Sequence, residues 1–141
     1  MTTDGYAQYQ QNQLLTASPA KLLLAAYDGA IRFCRIAGEK MAQQAYDEQN
    51  TYMNKALAVV CELLSTLKED VDPVLVRRLR SLYTFVIEKL AHANLNSDQV
   101  ALNDAIRILS QLRETWAQAD QLLAQGSADH DSNQQPTEKA A

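Results

Sequence analysis

The sequence predicts an all-α fold, an antiparallel up-down four-helix bundle. Three features carry that expectation. Apolar residues recur at alternating spacings of three and four through four successive stretches, a capping residue followed by Pro occurs at Ser18–Pro19 and Asp72–Pro73, and no stretch alternates apolar and polar residues as a half-buried strand would. Short breaks between the stretches imply antiparallel neighbours.

The first helix is expected from Pro19 to Gln44. Ser18 can accept a backbone N–H as N-cap, and Pro19 gives up only a donor that the first turn would leave unpaired. Leu23, Tyr27, Ala30, Cys34, Ala37 and Met41 form a heptad seam. Leu22, Ala26, Gly29 and Phe33 lie in a row beside it, and Leu24 and Ile31 flank it on the other side. Apolar residues thus cover roughly two-thirds of the circumference, where a core-facing stripe needs little more than about 100°. Such a helix is either central in its bundle or shows apolar surface to a partner. Gly29 and Gly38 each cost this helix about 1 kcal/mol relative to Ala, which points to close approach of another backbone.

After a connection at Ala45–Tyr46–Asp47, a second helix turns Met53, Ala56, Leu57, Val60, Leu63, Leu64 and Leu67 inward and stops near Glu69–Asp70. The third begins at Asp72–Pro73, with Leu75, Leu79, Leu82, Val86, Leu90 and Ala93 as its seam, Val76, Tyr83 and Ile87 on one flank and Phe85 on the other. Asn94 to Ser97 is turn chemistry, and Ser97 or Asp98 can cap a fourth helix. That helix has the seam Leu102, Ala105, Leu109, Leu112, Trp116, Ala119 and Leu123 and is expected to stop at Gly126. The chain therefore divides into a mobile N-terminal arm over 1–15, the bundle over 16–125 and a disordered polar tail over 126–141, which lacks large apolar residues. The arm is polar and interrupted by Tyr6, Tyr9, Leu14 and Leu15. It reads equally as a frayed terminus or as a cover laid over an apolar groove.

At 141 residues and a net charge of −4, the chain is one domain with no basic field for nucleic acid. No apolar run is long enough to span a membrane, and the first residues lack a basic region followed by an apolar one, so the protein is expected in the cytosol. Cys34 and Cys61 read as two reduced core thiols. No metal-ligand spacing, phosphate-binding glycine loop or catalytic constellation is present, so no cofactor and no enzymatic role are expected. His92 reads as a solvated helix-edge residue, and Trp116 as a core residue. What remains is recognition, and two readings of the surplus apolar surface stay open on these grounds: display to a protein partner, or a homodimer interface of a generic helical adaptor.

The runs TASPAKLLLAAYDGAIRF, LYTFVIEKLAHANLNSD and ILSQLRETWAQA resemble the flagellar secretion chaperones of the FliS type. The family pattern of T-x-S-P-x-x-L, L-Y-D-G, A-N-x-x-x-D and a late Trp is matched by Thr16, Ser18, Pro19 and Leu22, then Tyr27, Asp28 and Gly29, then Ala93, Asn94 and Asp98, then Trp116. Ala26 stands where the family usually has Leu. The resemblance implies a cytosolic export chaperone that binds the disordered C-terminal segment of flagellin, prevents premature polymerisation and keeps the subunit competent for type III secretion. The export apparatus and flagellar regulators would be further partners, and the expected state is a monomer or weak homodimer. Combined with the apolar rows, it places the guest against Leu22, Ala26, Gly29 and Phe33 and against Tyr83, Ile87 and Asn94, under a lid of Tyr6, Tyr9, Leu14 and Leu15.

Overall fold

The computed structural model describes residues 18–70 and 72–138 together with Gln8, and side chains as far as Gly126. Four helices account for it: α1 (Pro19–Ala42), α2 (Tyr46–Ser65), α3 (Pro73–Asn96) and α4 (Gln99–Glu138). Each packs on two neighbours, α1 on α2 and α4, α3 on α2 and α4. The bundle is therefore a ring in which α1 faces α3 across the diagonal. The expected lid residues Tyr6, Tyr9, Leu14 and Leu15 lie outside the described residues.

Both expected caps form. The Ser18 hydroxyl accepts the Lys21 N–H at 3.3 Å, and the Asp72 carboxylate accepts the Leu75 N–H at 3.1 Å. Asp98 caps α4 by accepting from the backbone N–H groups of Val100 and Ala101 at 3.0 and 3.1 Å. The Ala101 bond foremost, then the contact with His92 and the Val100 bond, hold its carboxyl below the usual carboxylate range. Ser97, in the left-handed conformation at φ 49°, ends α3 and makes the sharp turn between the two helices.

Three helix ends differ from expectation. α1 stops at Ala42 rather than Gln44, because Gln44 takes φ 59° and leads straight into α2 at Tyr46. α2 stops at Ser65 rather than near Glu69–Asp70, where the Ser65 and Thr66 hydroxyls donate to the Glu62 and Leu63 carbonyls, each at 2.7 Å. Such back-bonding competes with helix continuation. The backbone of α4 runs on to Glu138 through Gly126, which costs a helix about 1 kcal/mol without forbidding it. All side chains from Gln121 to Gly126 are exposed, so none of them enters the core.

The core collects Tyr27, Ala30, Ile31, Cys34, Ala37 and Met41 from α1 and Met53, Ala56, Val60 and Leu63 from α2. From α3 and α4 it takes Leu79, Tyr83, Val86, Leu90, Ala93, Ala101, Leu102, Ala105 and Leu109. The seam of α3 is shifted from the expected one: Val76 and Tyr83 are buried, while Leu75 is exposed and Leu82 half-buried. Two adjacent apolar rows satisfy the same periodicity, and Tyr83 is drawn inward by Tyr27 across the diagonal. Leu123, expected in the seam of α4, is 73% exposed because α1 has ended at Pro19 beside it. Cys61 is exposed on α2, not a core thiol, whereas Cys34 is buried as expected.

Candidate partner-binding surface

The row Leu22, Ala26, Gly29 and Phe33 runs along the outer side of α1 toward α2. Leu22 is 42% exposed, and Ala26, Gly29 and Phe33 are half-buried. No atom lies within 4 Å of where a Gly29 Cβ would stand, so the row is open to space at this position in the middle of a helix. The close approach expected at Gly29 is absent. It occurs instead at Gly38, where a Cβ would meet Gln99 Nε2 and Leu102 Cδ2 at 3.1 Å, and where the neighbours are side chains rather than backbone.

Beyond Gly29, Phe33 packs on Tyr52 of α2 with ring centroids 6.3 Å apart. Two cations stand over this pair. Arg32 lies 5.4 Å from the Phe33 ring centre, and Lys55 lies 5.8 Å from that of Phe33 and 5.0 Å from that of Tyr52. Sequence reasoning missed Tyr52 and Lys55. Their three-residue spacing on α2 puts an aromatic and a cation on one face, but only the pairing of α1 with α2 brings that face to Phe33.

The α3 residues expected in the same groove separate. Tyr83 does not line a surface: it is 2% exposed, with its hydroxyl hydrogen-bonded to that of Tyr27 and its phenol pushed to a higher pKa by burial and by that bond. Asn94 ties the far end of the bundle. Its carbonyl and Oδ1 accept from Gln49 Nε2 at 3.2 and 3.1 Å, and its Nδ2 donates to Asn50 at 2.8 Å. Gln49 is the buried polar residue of the core, and Ser97 donates to its Oε1 at 3.4 Å. Ile87, seven residues before Asn94 and so on the same α2-facing side, is half-buried against the core. The Leu22 row and Ile87 therefore lie on the two sides of α2, not in one groove.

At the opposite end, Pro19, Ala20, Leu23, Trp116, Ala119, Asp120 and Leu123 line a concavity of about 260 Å³ between α1 and α4. Trp116, half-buried at the rim of the core, donates its indole N–H to the Tyr27 hydroxyl at 3.2 Å. The exposed Asp28–Arg113 ion pair at 2.9 Å joins the same two helices. Among the described residues no cluster of His, Cys, Asp or Glu fits a metal ion, and no helix is long and apolar enough to cross a membrane.

The chain that folds into this bundle matches the family model described as flagellar protein FliS over residues 2–123. The chain belongs to the FliS family. Its relatives include the flagellar secretion chaperone FliS of Bacillus subtilis (strain 168), 29% identical over 82% of this chain and 86% of that one. The flagellar secretion chaperone FliS of Campylobacter jejuni is 31% identical over 79% of this chain and 87% of its own. A solved structure described as a flagellar chaperone from bacteria superposes with a TM-score of 0.69, covering 86% of this chain and 98% of that one at 18% identity, which speaks for the fold. As a FliS protein the chain is a chaperone of flagellum biogenesis.

Proposed function

We propose that this FliS chain binds the C-terminal segment of flagellin in the cytosol, keeping the subunit from polymerising before export and competent for the type III apparatus. The observation that carries the reading is the open Leu22–Ala26–Gly29–Phe33 row. It is apolar, open at Gly29 and bordered by α2 at Phe33, a surface suited to the apolar face of an amphipathic helix. The guest lies first in the α1/α2 groove and crosses α2 toward Ile87, so that it wraps the bundle instead of filling one pocket. Ordering a disordered guest consumes about 2–5 kcal/mol of the gross interaction free energy, which leaves a large interface releasable at the export gate.

The test is substitution of the row itself. Gly29→Glu or Ala26→Glu should abolish binding of a flagellin C-terminal segment while leaving the helical circular dichroism unchanged. Normal binding by both variants would place the groove elsewhere, and unfolding of both would make the row part of the core.

A further inference from the structure

Resting on that reading, we infer that Arg32 and Lys55 form an acid-selecting end of the α1/α2 groove, so that an acidic side chain of the bound flagellin helix sits over the Phe33–Tyr52 pair and fixes its register. The two cations come from different helices and converge on one aromatic ring, at 5.4 and 5.8 Å from its centre. Each is attracted to the ring face, but the two positive charges repel each other. A guest carboxylate beside this ring is attracted by both charges.

Among the described residues no carboxylate takes that place. Neither Arg32 nor Lys55 enters an ion pair among the described residues, whereas Lys40 and Arg113 are held by Glu48 at 2.8 Å and Asp28 at 2.9 Å. The surroundings sharpen the selection. The floor is apolar and half-buried, which leaves less solvent between the charges than a fully exposed pair has.

The same geometry orients the guest. From Phe33 to Leu22 the row climbs three turns of α1, or about 16 Å at the helical rise per residue. The open position at Gly29 lies one turn from the cations. A matching guest helix therefore carries its acidic residue at one end and apolar residues at spacings of three and four from there toward Leu22. A guest laid the other way would put an apolar residue on the cations and its carboxylate beside Leu22.

The experiment uses the full-length chaperone and the C-terminal segment of its cognate flagellin, titrated at low and moderate salt. Arg32→Glu with Lys55→Glu should weaken binding about tenfold or more, and changing the acidic residue of the segment to Lys should restore binding to that variant. Arg77→Glu with Arg78→Glu on α3 should leave binding unchanged. If the wild type binds the segment and the Arg32/Lys55 variant binds it equally well, the acid-selecting site is wrong while the flagellin reading stands. If the wild type does not bind the segment, both fall. Arg32→Gln with Lys55→Gln, which introduces no new charge, should give a smaller loss in the same direction if the reversed pair fails to fold. Unchanged affinity in that neutral variant at low salt would equally overturn the site.

Discussion

The hydroxyls of Tyr27 on α1 and Tyr83 on α3 are hydrogen-bonded to each other across the diagonal of the bundle, between two helices that do not pack directly. Their rings are 6.4 Å apart and buried, and Tyr27 also accepts the indole N–H of Trp116 from α4. Three helices thus converge on one phenolic oxygen. Burial raises the Tyr27 pKa even though both hydrogen bonds pull it down, so the pair stays neutral.

Because Tyr27 is the shared partner, Tyr27→Phe should cost more than Tyr83→Phe. The first strands both the Trp116 N–H and the Tyr83 hydroxyl, and the second removes a single bond. Expected losses are about 2 and about 1 kcal/mol respectively in urea unfolding. Equal losses, or the reverse order, would contradict the sharing.

The two thiols should differ sharply in reactivity. Burial pushes Cys34 up to about 12, while Cys61 is exposed. In the native protein at mild alkaline pH a disulfide reagent should modify one thiol rapidly and the second only on unfolding, and Cys61→Ser should remove the fast phase. Two fast thiols would mean that the core opens readily around Cys34.

Gly29 and Gly38 should respond differently to a methyl group. At Gly29 there is open space, so Gly29→Ala should raise stability by about 0.5–1 kcal/mol. At Gly38 the new carbon would press on Gln99 and Leu102 at 3.1 Å, so Gly38→Ala should recover little or none of that gain. Thermal unfolding of the two single variants decides it, and equal stabilisation by both would mean that the α1/α4 contact gives way freely.

The four helices, their order and both Pro-linked caps were legible in the sequence because each rests on local chemistry: spacing, a capping side chain and a fixed φ. The choice between the Leu75 and Val76 rows of α3 was not. Both rows obey the same period, and only the partner across the diagonal, Tyr27, decides which is buried. The same limit explains Cys61 and Leu123, whose exposure depends on where neighbouring helices lie and end. On the candidate surface, the Leu22 row could be read from α1 alone, whereas Tyr52 and Lys55 become part of it only once α2 packs alongside.

Asp98 gives the bundle an acid-sensitive corner. Its folded pKa is depressed, chiefly by the Ala101 N–H, so the cap stabilises the fold fully above the ordinary carboxylate value of about 4 and loses that contribution as pH falls through its lower folded value. Asp98→Asn should therefore flatten the pH dependence of stability below about pH 4, measured by urea midpoints across that window. An unchanged slope would show that the Asp98 cap adds nothing to acid sensitivity.

The most direct measurement is calorimetric titration of the full-length chaperone with the C-terminal segment of its cognate flagellin, followed by sedimentation and circular dichroism of the mixture. The proposed flagellin binding predicts a one-to-one complex with a gain in helix and a negative heat-capacity change, as apolar surface in the Leu22–Phe33 row is covered. Absence of a complex, or a chaperone homodimer indifferent to the segment, would contradict the proposal.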